Sequence, residues 1–541
     1  MNRILNKLRY FLSARITTLG IILIAIAGRA IQLVYFFYLG GDRSYQTITT
    51  QNFLHGHGIS SGNVIPQNLS EIFYEPLTSW PPGYSLLLSP FYALFNHNYI
   101  AAGLTLDILF SIILILVTRG ILKILETPAY LINIYTLLTC FTIYSFYKKP
   151  YDDTIAITLF LTALYFSLQL IKSPSSWKLK TGWLIISLVL CAFTKYLYMP
   201  IVLIIPAFLI LKGFVDTQSN LKKAGIMVLL VTVAAITVLL IYHKNISGTA
   251  TFIRQPIRGF FPEHILSSYP IIPASLITPE TTGLILEQNY RPGSVLYQFY
   301  QWVHVFTFFF ILLYGSREIY RKGLHSLSTA GSFFYITFFT FLSITAILLI
   351  LSVRIDKESG YWTYLQEPRY YGLITILLQL TIFIAFQYFK ANKNRLLKYL
   401  FLFSMVLLLP EMFRGILFSA NRVVNCKKEE YIWQQDYKFQ QYADAIIRKK
   451  KQANPVNQVI LAGSSPYMNN RIILYSRIPE MKDVGKINNI PALNSKTSVL
   501  LLVVLREDVL KHFTSFLSAK DKEDAGYFAG FYFYTLYVTP H

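Results

Sequence analysis

The chain has 541 residues, of which 54% are hydrophobic, 16% aromatic and only 14% charged, with a mean hydropathy of +0.45. Soluble domains carry about 25% charged residues, so the composition excludes an ordinary soluble globular protein. The 49 Lys and Arg against 27 Asp and Glu give a formal charge of +22; these charges cluster in short segments between apolar runs, which fits the positive-inside rule rather than a nucleic-acid surface.

The amino end, MNRILNKLRYFLSAR, is basic and precedes an apolar run at 16–39. That run is longer than the apolar core of a signal peptide and lacks a small-residue cleavage site. It predicts an uncleaved first span with the amino terminus in the cytoplasm. Further spans are expected at 99–118, 128–147, 153–171, 181–195, 197–211, 224–242, 300–315, 329–351, 370–389 and 398–419. The stretch 181–211 is long for one helix and short for two, and charge decides between them. Read as one span, it would put Lys212, Lys222 and Lys223 outside and invert every later loop. Read as two, it turns at Lys195 on the outer side, and the basic loops RGILK, KSPSSWKLK, SREIYRK and KANKNRLLK all stay inside. The outer segments are then 40–98, 148–153, 243–299 and 354–369.

From 421 onward the composition changes. KKEEYIWQQDYKFQQYADAIIRKKK has helical spacing, VNQVILAG, TSVLLLVVL and FYFYTLYVT read as strands, and VLKHFTSFLSA reads as a helix. The fold class expected is therefore mainly α: a polytopic transmembrane helix bundle of about eleven spans over residues 1–420, with a small C-terminal extracytoplasmic α/β domain over 421–541. Three cysteines, Cys140 and Cys191 in apolar runs and Cys426 alone, form neither a disulfide framework nor a CxxC metal pattern.

The first outer loop, 40–98, is where chemistry is expected. Structureless loops longer than about 12–15 residues are uncommon unless functional. This one opens with GDRSYQTITTQNFLHGHGIS and continues to WPPGYSLLLSPFYALF, two helix-compatible pieces suited to the interfacial plane. It places Asp42 at the membrane surface, with Tyr45, His55 and His57 as cleft candidates. Asp152 and Asp153, in KKPYDDTIAITLF, are further catalytic candidates at the outer start of the fourth span, where helix capping is the plain alternative. Lys195 at its turn, Glu367 and Arg369 in YWTYLQEPRYYG, and Arg254, Arg258 and Arg291 in the 243–299 loop complete the set. Carboxylates and cations on one face suit a reaction in which a hydroxyl attacks and a lipid-linked phosphate leaves. A carboxylate removes the proton, and Lys and Arg stabilise the departing phosphate. No cofactor is required by this scheme; a divalent metal at HGHG is the less favoured reading, since two histidines alone make a poor site. Asp107 in the second span should face the bundle interior or a wet cleft, with Arg29 a candidate partner. Glu411 and Arg414, three apart in the last span, most simply pair with each other.

The first-loop motifs, together with PYDDTIAITLFLTALYF, TKYLYMPIVLIIPAF and more loosely EPRYYG, resemble the GT-C membrane glycosyltransferases. The nearest branch is the bacterial one related to protein O-mannosyltransferases and to the aminoarabinose transferase of lipid A. The mannosyltransferase branch carries an Asp-Glu pair in this loop, whereas this chain has Asp42 followed by Arg43, which matches the single-acid bacterial pattern. The resemblance implies that Asp42 is the catalytic base, that the donor is a sugar on polyprenyl phosphate, and that the anomeric carbon inverts. The acceptor would be a lipid, glycan or protein hydroxyl at the plasma membrane's outer face. A transporter or flippase of lipid-linked sugars is the rival in another class, and a polysaccharide polymerase or ligase the rival among enzymes. A transporter should show paired halves around a midplane site, whereas here the polar groups are expected on one face.

Overall fold

The computed structural model describes residues 2–37, 39–142, 151–248, 259–265, 270–289, 291, 293–322, 328–354, 367–391, 395–425 and 432–540. The chain forms two compact units, Met1–Val34 with Asp107–Asn425, and Tyr35–Leu106 with Cys426–His541. The first outer loop, expected with the membrane domain, thus shares a unit with the C-terminal region.

In the first unit the apolar runs become helices. Among the described residues of the whole chain, ten are long and apolar enough to cross a membrane, from Arg15–Tyr35 to Tyr399–Asn425. The remaining expected span, 128–147, corresponds to the shorter apolar helix Ala129–Cys140, and residues 143–150 lie outside the described set. The stretch 181–211 divides as charge required, into Trp177–Thr194 and Tyr198–Val215. Lys195 ends the first of these in extended backbone, φ −154° and ψ 131°. The last span is interrupted: Arg395–Val406 stops, and Leu409–Asn425 begins with Pro410 in its first turn, where a missing N–H costs nothing.

Small residues let these helices approach closely, as apolar surroundings favour. A Cβ on Gly225 would lie 2.8 Å from the Ile210 nitrogen, so Ile204–Val215 and Ser219–Ser247 meet backbone to backbone. Polar side chains add cross-ties. Asn133 Nδ2 donates to the Leu12 carbonyl at 2.6 Å, and Arg119 donates to Asn133 Oδ1 at 2.8 Å. Asp107 and Arg29 are both buried, as expected of charges in spans, and Arg29 donates to Gln32 and to the Thr142 carbonyl. Glu411 and Arg414 correct the sequence reading. Instead of a simple pair, both grip the start of the short helix Pro279–Ile285. Glu411 Oε1 accepts from the Thr278 amide at 2.8 Å and its hydroxyl at 2.6 Å, while Arg414 donates to Thr281 Oγ1 at 2.7 Å. A buried carboxylate gains more from two short hydrogen bonds than from a flexible i, i+3 contact.

Among the described residues, the second unit holds all the strands. β1 (Ser60–Ile65) and β2 (Asn68–Pro76) form an antiparallel hairpin. β3 (Gln458–Gly463), β4 (Val499–Arg506), β5 (Lys522–Phe528) and β6 (Phe531–Val538) form a sheet of order β3-β4-β6-β5, in which only β3 and β4 run parallel. β4 is buried on both faces except at its last residue, which explains its unbroken apolar run. The hairpin supplies Val64 and Leu69 to the sheet's core beside Ile460, Leu501 and Phe516. Main-chain bonds from Val64 to Glu480 (2.9 Å) and from Leu69 to Asn494 (2.8 Å) fix it there. The expected helix at VLKHFTSFLSA is a 3-10 turn, Glu507–His512, followed by the short helix Thr514–Ser518. The charged edge strand β5 has no counterpart in the sequence reading; its exposed acids, Glu523 and Asp524, are what edges use to refuse further pairing.

The closest approach in the first unit gives a test. A Cβ on Gly415 would fall 1.5 Å from the Phe141 carbonyl oxygen. Gly→Ala inside an open helix stabilises by about 0.5–1 kcal/mol, whereas overpacking costs about 1–3 kcal/mol. Gly415→Ala is therefore expected to lower the thermal midpoint of the detergent-solubilised protein, and a raised midpoint would contradict the packing described.

Candidate active site

Two clusters collect the residues that sequence singled out, one in each unit. In the first unit, Asp153 lies in the first turn of Tyr151–Lys172, and Lys195 closes Trp177–Thr194. Their side chains form an ion pair in which Asp153 is 1% and Lys195 12% exposed. The Lys195 ammonium also sits 4.5 Å from the centre of the Tyr370 ring. The 3-10 turn Pro368–Tyr371 brings Arg369 to the same ring, with its guanidinium carbon 5.1 Å from the centre. Arg369 pairs with Glu367 at 2.7 Å, the two side chains being 14% and 41% exposed. One aromatic ring thus carries two cations, each with its own carboxylate. Cation–π contact is worth about 0.5–2 kcal/mol and explains how two like charges share so small a space. Beside Lys195, the Tyr196 hydroxyl and His243 Nδ1 lie 2.8 Å apart.

This arrangement moves Asp153 away from a base. A carboxylate buried and paired to a lysine holds that lysine in place; it has no free approach to a hydroxyl. Asp152 belongs to the first turn of the same helix, but its side chain lies outside the described residues, as do Lys148, Lys149, Arg254 and Arg258. Arg291 is exposed, and its amide bonds Ser294 Oγ in a turn.

In the second unit, Asp42 stands half-buried in the first turn of Gly41–Leu54, where a carboxylate complements the helix dipole. The helix was expected to lie in an interface on one apolar face. Instead Arg43, Ser44 and the run from Gln46 to Gln51 are buried, because neighbours cover it on several sides. Ser85 on the Gly83–Leu94 helix contacts Thr49 at 2.7 Å, and Asn470 on Pro466–Ser476 donates to Ser44 at 2.7 Å. Arg43 is buried over the Phe37 ring at 4.8 Å. Tyr45, three residues on from Asp42 and so on the same helix face, stacks on Trp80 with centroids 5.7 Å apart. Burial raises the Tyr45 phenol, the Glu480 charge adds to this, and the Asn470 hydrogen bond opposes it. Glu480 is itself raised, by burial, against hydrogen bonding from Asn469 and the charge of Lys482.

The histidines do not converge. His57 stacks on Tyr74 at 3.7 Å, whereas His55 bonds the Gln51 carbonyl at 2.6 Å and its ring faces His97. Among the described residues no group of three or more His, Cys, Asp or Glu gathers as metal ligands would. Tyr370, Trp80 and the Tyr196–His243 pair escaped the sequence reading. The signal for the first two was present, since both sit inside motifs already noted, EPRYYG and WPPGY.

No family model matches the sequence, and no curated protein matches it. Among solved structures the chain is similar to the oligosaccharyltransferase of Archaeoglobus fulgidus in complex with Zn and sulfate, at 12% identity over 92% of this chain and 70% of that one, with a TM-score of 0.47. It is also similar to ArnT from Cupriavidus metallidurans bound to undecaprenyl phosphate, at 13% identity over 96% of this chain and 97% of that one, with a TM-score of 0.46. Likeness of this degree assigns no role to any single residue.

Proposed function

We propose that the chain is an integral membrane glycosyltransferase that moves a sugar from a polyprenyl-phosphate carrier to an acceptor hydroxyl on the extracytoplasmic side. The observation that carries this reading is the Tyr370 platform, where Lys195 and Arg369 share one ring in a unit otherwise built from apolar helices. Two fixed cations among apolar helices match a ligand that is a phosphate at one end and a hydrocarbon at the other.

In this scheme Asp42 accepts the proton of the acceptor hydroxyl as its oxygen bonds to the anomeric carbon. The bond from that carbon to the phosphate oxygen breaks on the opposite face, so the configuration inverts. The electron pair leaves with the polyprenyl phosphate, whose growing charge Lys195 and Arg369 stabilise. Those two cations supply charge that a divalent metal would otherwise provide. Tyr45, on the Asp42 face of its helix and fixed by Trp80, would line the acceptor side.

Asp42→Asn is expected to cut transfer from a labelled polyprenyl-phosphate sugar by about 10²–10⁴-fold, the usual contribution of a general base, while donor binding persists. A transporter or flippase would instead keep moving the labelled lipid across proteoliposomes in this variant, and that result would replace the present reading. Lys195→Met leaves Asp153 buried without its lysine, a loss of about 3–5 kcal/mol, and should reduce the yield of folded protein. The double variant Lys195→Met with Asp153→Asn should recover folding but not donor affinity. Full donor affinity in the folded double variant would remove Lys195 from the phosphate site.

A further inference from the structure

The two ion pairs of the platform are unequal, and the inequality has a chemical consequence. Asp153 is 1% exposed and its lysine 12%. Separating that pair would strand a carboxylate in an apolar interior, so the pair is permanent. Glu367 is 41% exposed, in a turn rather than inside a helix, and it meets the buried Arg369 Nε at 2.7 Å without the alignment of a hydrogen bond. A pair with one half-exposed, misaligned carboxylate is weak beside a fully buried one. Arg369 itself is held independently by the Tyr370 ring, its guanidinium lying 5.1 Å from the centroid and 3.4 Å from the ring's hydroxyl. Glu367 can therefore leave without Arg369 moving.

We propose that Glu367 is an exchangeable counter-ion: the substrate phosphate displaces it from Arg369, and its return to Arg369 expels the product. This rests on the reading of Lys195 and Arg369 as the donor-phosphate holders. A sugar linked through a phosphodiester carries one negative charge. After transfer the carrier is a monoester, which carries nearly two. Arg369 released from Glu367 meets the growing charge best, so the exchange favours the transition state over the bound donor. The same gain makes the product a tight ligand. A carboxylate tethered two residues away competes for Arg369 at high effective concentration and shortens the product's stay. Glu367 is thus a positioning residue for release, whereas Asp153 fixes Lys195 throughout.

The test uses the full chain in nanodiscs and polyprenyl monophosphate as the probe, with phosphatidylglycerol as a phosphodiester control. Glu367→Gln is expected to bind the monoester about two- to fivefold more tightly, the range that loss of a weak competing ion pair allows, with a smaller change for the diester. Its multiple-turnover rate should fall by more than its single-turnover rate. Asp153→Asn should change in the opposite direction and bind the monoester more weakly. Unchanged or weaker monoester binding by Glu367→Gln, with wild-type binding and transfer intact, overturns the exchange alone. Absence of monoester binding in the wild type overturns both the exchange and the donor reading beneath it. Equal tightening toward the monoester and the diester would reduce Glu367 to a general screen of Arg369 and overturn its role in release.

Discussion

The Lys195–Asp153 pair is the constraint on which the first unit's chemistry depends. An ammonium in apolar surroundings needs a compensating charge, and insertion of either residue alone at mid-span would cost about 2.5–3.5 kcal/mol. Sequence meets that need with two helix ends. The fourth span begins with the aspartate, and the fifth ends with the lysine in extended backbone. Because the fifth span stops there, the chain turns and the remaining helices keep their order. The same break that sets the topology therefore fixes a cation, and the Tyr370 ring brings a second one to it. Structure and chemistry are coupled through one residue.

Neutralised cations are weaker ligands than bare ones, which makes the exposure of each carboxylate important. A fully buried counter-ion makes its lysine part of the framework, contributing field and shape but little competition with solvent anions. A counter-ion near water leaves its arginine responsive to what arrives. Two cations with equally buried partners would form a static ion cluster. Two with equally exposed partners would bind any phosphate at a membrane surface crowded with them. The observed asymmetry, 1% against 41%, gives one fixed and one responsive charge.

Much of this was legible in the sequence, and the exceptions have physical causes. Span positions follow from apolar length, and the division of 181–211 followed from charge alone, because lysines distribute by side of the membrane independently of packing. β4 and β6 were visible as β-branched and aromatic runs. The β1–β2 hairpin was not, since SSGNVI and NLSEIFYEP alternate weakly and owe their place to core contacts and to main-chain bonds with Glu480 and Asn494. Asp153 was visible as an acid at a helix start, but not as the partner of a lysine 42 residues on. Glu411 was paired with the wrong neighbour for the same reason: its true contacts, at Thr278, lie 133 residues away. Local spacing predicts what a residue could reach along its own helix, and tertiary contacts decide what it does reach.

The Asp42–Arg43 dipeptide shows how far that distinction extends. Read along the chain, an arginine beside the candidate base looks like a departure in the chemistry of the loop. On the Gly41–Leu54 helix, successive residues point about 100° apart, so the two side chains serve different surroundings. Asp42 shares its face with Tyr45 and remains half-buried, whereas Arg43 is 1% exposed over the Phe37 ring. A second acid at position 43 would place a carboxylate against an aromatic face, where electrostatics disfavour it and burial penalises it. The arginine is thus required by the packing of this helix. The single acid of the Gly41–Leu54 helix is then a property of how the second unit is built, and Asp42 is the carboxylate of its first turn.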